Sequence, residues 1–387
     1  MEPVRLVSQQ GDALALDPEG LRQLAALGTT PVAVLAVAGM YRTGKSFLLN
    51  QLVDAPGFRV GSTTESCTRG IWMWVAAPGV WSPPVESPEA RLLVLDTEGL
   101  ASIDQDETYD AKIFSLSILL SSFFIYNSMG AIDESAVDRL FLVGELTKSI
   151  CLSTDTGKVR GGSNDDGATD EAQLSQFLPP FLWLLRDFHL DLEKDGEAIS
   201  TAQYLEQALA DRPGSSSRVK ENNRIRQSFK ALFPDRQCAT LVRPASEESE
   251  LKVLSTLPAS ALRPQFTEAM RTIRRTTLER VAPKRLFGSV MSALMFGTMA
   301  QSYVAAINDG AVPDIKKSWD YVVEETLRTA FEAALAVISP ALRQWTLAGR
   351  TTTLSRTGGP DSGLAPLPSR EELGACTINR PLITMHD

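Results

Sequence analysis

The strongest apolar pattern in the chain is Val32 to Val37, an unbroken β-branched and aliphatic run that predicts a strand buried on both faces. Ahead of it, residues 17 to 27 (DPEGLRQLAAL) predict a short helix capped by Asp17. After it, Ser46 to Val53 has helical periodicity, Ile71 to Ala76 and Leu92 to Leu95 predict strands, and residues 111 to 126 and 132 to 151 predict helices. Phe181 to Leu185 and Ala239 to Val242 predict later strands. Strands alternating with helices across about 240 residues predict an α/β fold, a mixed and mostly parallel sheet with helices on both faces.

Polar stretches punctuate this pattern. Gly79 to Glu89, Asp155 to Asp170 and Arg212 to Arg218 read as solvent loops. From about residue 312 an amphipathic pattern predicts a helix ended by Pro340, and past Gly349 the chain turns polar and is expected to be poorly ordered. The expected organisation is a large domain over 1–310, the start of a helical domain over 311–348 and a tail over 349–387. No internal repeat is apparent in the sequence.

Two apolar runs bear on membranes. Ile113 to Tyr126 is shorter than the roughly 20 residues a spanning helix needs, and reads as a buried helix. Leu286 to Ile307 is long enough but broken by Gly288, Gly297 and Gln301, so a span is the lesser reading. The start does not resemble a secretory signal and the final residues carry no prenylation cysteine, so a cytoplasmic protein is expected, with membrane association left open.

Composition narrows the chemistry. The 387 residues carry a net charge of −9 and no basic run, which argues against a nucleic-acid partner. Four dispersed cysteines and two histidines leave little material for a zinc site or a Ser-His-Asp triad.

Chemistry enters at Gly39-Met40-Tyr41-Arg42-Thr43-Gly44-Lys45-Ser46, a full match to the P-loop pattern between a predicted strand and a predicted helix. Such a loop presents backbone N–H groups to phosphate. Lys45 would reach the β and γ phosphates, and Ser46 would ligate Mg²⁺. The second element is Leu92 to Asp96 followed by Thr97-Glu98-Gly99, where Asp96 would hold Mg²⁺ through water and the Gly99 amide would approach the γ-phosphate. Between them lies a hydroxyl-rich segment from Phe58 to Trp74, in which Thr68 is the candidate metal ligand. The N-K-x-D sequence that reads guanine in most GTPases is absent; Arg186-Asp187, ending a predicted strand, offers a carboxylate for guanine's donor pair. The fold is therefore read as a P-loop NTPase with a short α-helical segment after it.

Together these motifs resemble the guanylate-binding proteins, dynamin-related large GTPases. The resemblance rests on GMYRTGKS, Ser62 to Trp74, Leu95 to Leu100 and Leu185 to Phe188, with LLSSFFIYNSMGAID, VGELT, DLEKDG and SYVAAINDGAVP, and spans roughly residues 1 to 340. It implies that Gly39 to Phe47 cradle phosphate, that Val60, Gly61 and Ser62 border the nucleotide, and that Asp96 to Leu100 form the switch II turn. It further implies that Asp187 reads guanine with Arg186 in support, that Arg42 is an arginine finger supplied in cis, and that Ser66 and Glu98 position water. GTP-bound heads would pair face to face as a homodimer to trigger hydrolysis. Leu100 stands where Ras-like proteins have their water-orienting glutamine, and Cys67 and Arg69 depart from the residues usual at those positions in the family. A GTP-binding scaffold with negligible hydrolysis and an adenine-nucleotide ATPase or kinase stay open as alternatives.

Overall fold

The computed structural model describes residues 2–11, 13–60, 68–100, 107–138, 152–153, 159–160, 167–254, 256–311 and 313–354. The chain divides into two units, 1–327 and 328–387. In order, the main elements are β1 (Val4–Gln10), β2 (Ala13–Leu16), α1 (Pro18–Leu27), β3 (Val32–Gly39), α2 (Lys45–Val53), β4 (Ile71–Val75), β5 (Arg91–Thr97), α3 (Glu107–Leu120) and β6 (Phe123–Met129). They continue with α4 (Glu134–Asp138), α5 (Gly167–Leu174), β7 (Phe181–Arg186), α6 (Thr201–Ala208), α7 (Ser217–Leu232), β8 (Arg236–Leu241), α8 (Pro264–Arg280), α9 (Ala293–Asn308) and α10 (Ile315–Leu354).

An eight-stranded sheet organises the first unit, in the order β8-β7-β6-β3-β5-β4-β1-β2. The run from β8 to β5 is parallel, and β4, β1 and β2 extend it through antiparallel pairs. The unbroken apolar run of β3 serves both faces: Val32, Val34, Ala36 and Ala38 join one core, and Ala33, Leu35 and Val37 join the other. Against the first face lie Leu24 of α1, Phe114 of α3, Phe229 of α7 and Phe296 of α9. Leu48 of α2 and Phe266 of α8 cover the second. Thus the adjacent parallel strands β3 and β5 lead to helices on opposite faces, α2 and α3, and the crevice opened at their C-terminal ends is where such sheets bind ligands.

Most predicted elements form as expected, including the helix at 18–27, whose Asp17 side chain accepts from the Glu19 amide at 2.9 Å. Four expectations need correction. The apolar run at 113–126 is not one helix, because α3 stops at Leu120 and Phe123 begins β6. Two serines mark the break: Ser121 Oγ donates to the Ile118 carbonyl at 3.0 Å, and Ser122 Oγ donates to the Ala282 carbonyl at 2.7 Å and accepts from the Val34 amide at 2.8 Å. A run that is apolar all round has no periodicity to separate helix from strand.

Pro340 does not end the last helix, since α10 continues to Leu354 and so takes in residues 349–354, which were expected to be poorly ordered. A proline inside a helix costs about 3 kcal/mol through one missing N–H and a ring clash, which flanking turns with intact hydrogen bonds can absorb. The loop expected at 155–170 gives way to α5 at Gly167. Of the helix expected at 132–151, α4 forms at Glu134–Asp138, and residues 139–151 lie outside the described residues. Strands β1 and β2 have no counterpart in the sequence reading.

Leu286 to Ile307 is no span: Arg285–Leu286 and Ser289–Val290 form a small hairpin, and α9 follows with Phe296, Met299 and Tyr303 buried in the core. Among the described residues, no helix is long and apolar enough to cross a membrane.

One buried charge helps fix the end of the sheet opposite the crevice. The Lys284 ammonium is 3% exposed and donates to the Ser121 carbonyl at 2.7 Å. Burial pushes its pKa down from 10.5 to about 7. A lysine whose folded pKa is depressed adds stability that is full above the unfolded pKa and is lost as pH falls toward the folded one. The urea midpoint of the native chain is therefore expected to decline from pH 10 to pH 7 more steeply than that of Lys284→Met; parallel profiles would contradict this.

Candidate functional site

Four parallel strands, β3, β5, β6 and β7, deliver the site to one edge of the sheet. The chain leaves β3 at Gly39 with φ of 152° and enters α2 through Gly44 with φ of 75°. At Gly39 an added Cβ would lie 2.0 Å from the Asn127 carbonyl oxygen, so glycine is required by close approach as well as by φ. No side chain caps the N-terminus of α2, leaving its first amides directed into the loop.

Lys45 is 7% exposed, and its ammonium donates to the carbonyls of Gly39 and Met40 at 3.2 and 3.1 Å. Burial pulls its pKa down to about 8, against the opposing pull of the negative charges on Asp96, Glu98 and Asp110. Asp96, next to last in β5, is 1% exposed. Its Oδ2 accepts from Ser46 Oγ at 2.6 Å and Thr68 Oγ1 at 3.2 Å, and the two hydroxyls are 3.4 Å apart. Desolvation raises the Asp96 pKa to about 6, partly offset by Ser46, Lys45 and Thr68. Its other oxygen, Oδ1, is buried without a partner. Two hydroxyls and a half-satisfied carboxylate form a hard oxygen set of the kind a divalent cation takes. Among the described residues there is no cluster of three His, Cys, Asp or Glu side chains to compete with it.

The turn after β5 is bonded to the P-loop through the backbone. Tyr41 N–H donates to the Leu100 carbonyl at 2.9 Å and Leu100 N–H to the Gly39 carbonyl at 3.1 Å. Gly99 makes this possible, because a Cβ there would meet Tyr41 Cα at 2.5 Å. Thr97 faces the other way and donates to the Val37 carbonyl at 3.0 Å. Glu98 is buried, its Oε2 accepting from Gly70 N–H at 2.8 Å and the Tyr109 hydroxyl at 2.9 Å.

The remaining candidates scatter by role. Arg42 is exposed with a left-handed φ of 60°, and its guanidinium carbon sits 5.0 Å from the centroid of the Tyr41 ring. Thr43 is buried, with Oγ1 on the Met40 carbonyl at 2.8 Å. Phe47 packs its ring against Phe266 in the core, so its side chain faces away from the loop. Val60 is partly buried against the same core. Arg186 is 4% exposed under the P-loop, reaching the Thr43 and Gly44 carbonyls at 3.4 and 3.5 Å, and burial lowers its pKa to about 10. Asp187, next along, has φ of 53° and stays partly exposed. Gly61, Ser62 and Ser66 lie outside the described residues, as does Cys67. A cavity of about 290 Å³ beside the hydroxyl cluster is lined by Phe58, Trp72, Trp74, Thr68 and Asp96.

The model of the family described as "Guanylate-binding protein, N-terminal domain" matches residues 11–285. The chain is 37% identical to guanylate-binding protein 2 of Mus musculus over 315 residues, 81% of this chain and 51% of that one. With guanylate-binding protein 2 of Homo sapiens it shares 37% identity over 337 residues, 86% of this chain and 54% of that one. The chain belongs to the guanylate-binding protein family. It spans about half the length of the curated relatives it matches. Toc33 of Arabidopsis thaliana, a solved structure, aligns over 69% of this chain and 93% of that one at 11% identity and a TM-score of 0.33, too distant a likeness to bear on the site.

Within this family member, two residues at the site went unread in the sequence. Asn127 of β6 is fully buried and donates through Nδ2 to the Thr43 carbonyl at 2.9 Å, bracing the P-loop from the neighbouring strand. Its signal was a lone amide ending the FFIY strand, at the same edge as Asp96. Tyr109 carried none, because aromatic residues at the start of an apolar helix are ordinary core.

Gly39→Ala is expected to lower folding stability by about 2–4 kcal/mol, from the clash with Asn127 and the unfavourable φ. Urea denaturation checks this, and a loss under about 0.5 kcal/mol, the surface-substitution level, would mean the loop can move aside.

Proposed function

We propose that this chain is a Mg²⁺-dependent GTPase whose domain over residues 1–310 hydrolyses GTP faster when two copies meet through their nucleotide faces. The observation that carries the reading is the convergence of Ser46, Thr68 and Asp96 on one point, with Asp96 Oδ1 buried and unpartnered. Ser46 and Thr68 would hold Mg²⁺ directly and Asp96 through water. Mg²⁺, when bound, supplies positive charge against the phosphate oxygens.

The chain's own residues divide the rest of the work. Lys45 exchanges two carbonyl partners for the β and γ phosphate oxygens, and the amides of Gly39 to Phe47 cradle phosphate through backbone N–H groups. Asp187 offers its carboxylate to guanine N1–H and N2–H₂, a donor pair that adenine lacks. Arg186 supports that rim from beneath the loop. Arg42 acts as the finger in cis: its exposed guanidinium, resting over Tyr41, swings to the γ-phosphate when a second head covers the site. Glu98 orients the attacking water together with Ser66. Leu100 has no polar group for that task.

Per-molecule GTP turnover with Mg²⁺ is expected to rise with protein concentration, and resolving the products reports whether GDP or GMP forms. Flat turnover would remove the paired-head activation. Arg42→Ala is expected to slow single-turnover hydrolysis by about 10³-fold at saturating GTP, the low end for an arginine finger; an unchanged rate would end that role. Asp187→Ala is expected to cut the preference for GTP over ATP about 10-fold in competition binding, in line with the loss of a charged hydrogen-bond acceptor; an unaltered preference would place guanine reading elsewhere.

A further inference from the structure

Glu98, like Asp96, joins three segments through a single carboxylate oxygen. Oε2 accepts from Gly70 N–H at 2.8 Å and from the Tyr109 hydroxyl at 2.9 Å, and Glu98 N–H returns a bond to the Gly70 carbonyl at 2.8 Å. Gly70 follows Thr68, a member of the hydroxyl cluster, by two residues, and Tyr109 lies in the first turn of α3. The exit of the hydroxyl-rich segment, the turn after β5 and the start of α3 thus meet at a single buried carboxylate.

We propose that Tyr109 is a positioning residue for Glu98, holding its carboxylate against Gly70 and away from Lys45. This rests on the GTPase reading above. The phenol is 7% exposed, and burial, reinforced by the negative charge of Glu98, pushes its pKa far above the ordinary value, so the hydroxyl stays a donor at working pH. The Glu98 charge favours the Lys45 ammonium, second only to that of Asp96, while the hydrogen bonds of Glu98 Oε2 go to Gly70 and Tyr109. A buried carboxylate that loses a donor seeks another charge-assisted partner. Lys45 and Arg69 are the cations whose charges act on this pair; of the two, Lys45 is the P-loop lysine, and a Lys45 held by Glu98 is withdrawn from phosphate. Tyr109 therefore keeps two buried opposite charges from neutralising each other, so that each stays available to substrate.

The test uses the full chain, GTP with MgCl₂, and a non-hydrolysable GTP analogue. Tyr109→Phe keeps the ring in the core and removes only the hydroxyl; Tyr109→Met is a second variant without it. Both are expected to slow single-turnover hydrolysis about 10-fold, the size of one hydrogen bond to a charged group, and to keep the thermal midpoint within a few degrees. In a Glu98→Gln background, Tyr109→Phe should cause no further slowing, and hydrogen exchange at the Gly70 amide should quicken in Tyr109→Phe alone. Wild-type rates in both variants, or equal slowing with and without Glu98→Gln, would overturn the proposal. A native chain that hydrolyses no GTP would instead overturn the GTPase reading. The Gly70 exchange then still decides the tether, and unchanged exchange on loss of the hydroxyl would refute it.

Discussion

A carboxylate and an ammonium, both buried at one edge of the sheet and both held on neutral partners, are the constraint on which this site depends. Asp96 and Lys45 each lose their hydration at the edge of the sheet, and burial pushes their pKa values toward each other, to about 6 and about 8. Paired directly, they would neutralise each other and leave little for a ligand. Instead Asp96 is held by the hydroxyls of Ser46 and Thr68, and Lys45 by the carbonyls of Gly39 and Met40. Buried charges kept on neutral partners cost stability, and sites that bind charged ligands tolerate that cost.

The fold supplies the means of keeping them apart. Strands β3 and β5 are adjacent and parallel but send their helices to opposite faces, while the P-loop and the turn carrying Glu98 stay bonded to each other through Tyr41, Leu100 and Gly39. Asn127 from β6 and Arg186 from β7 brace the loop through its carbonyls. Side chains on two neighbouring strands therefore set the position of one loop, and an edge built this way holds its donors in place before a ligand arrives.

Much of this was legible in the sequence, for reasons that differ by element. The run Val32 to Val37 had to be a doubly buried strand, with a glycine loop between it and an apolar helix, and the structure has that strand, loop and helix in order, with Ser46 bonded to Asp96. Thr68 was singled out because Gly70 and a strand follow it, and its hydroxyl lies against Ser46 and Asp96. What escaped was set by long-range contact: Asn127 and Tyr109 act on residues 84 and 11 positions away, and nothing local distinguishes them from core. The division of Ile113 to Tyr126 between α3 and β6 escaped for another reason, since a run buried on all sides carries no period. Phe47 shows the limit of motif transfer, since its ring packs against Phe266 in the core.

The most direct test of this account is the Mg²⁺ dependence of affinity for a non-hydrolysable GTP analogue, compared between the native chain and Ser46→Ala. The account predicts that Mg²⁺ tightens native binding at least about 10-fold, in keeping with loss of a directly coordinating oxygen in the variant, and that Ser46→Ala loses most of that gain. Native binding that is indifferent to Mg²⁺, or a full Mg²⁺ response without the Ser46 hydroxyl, would contradict it.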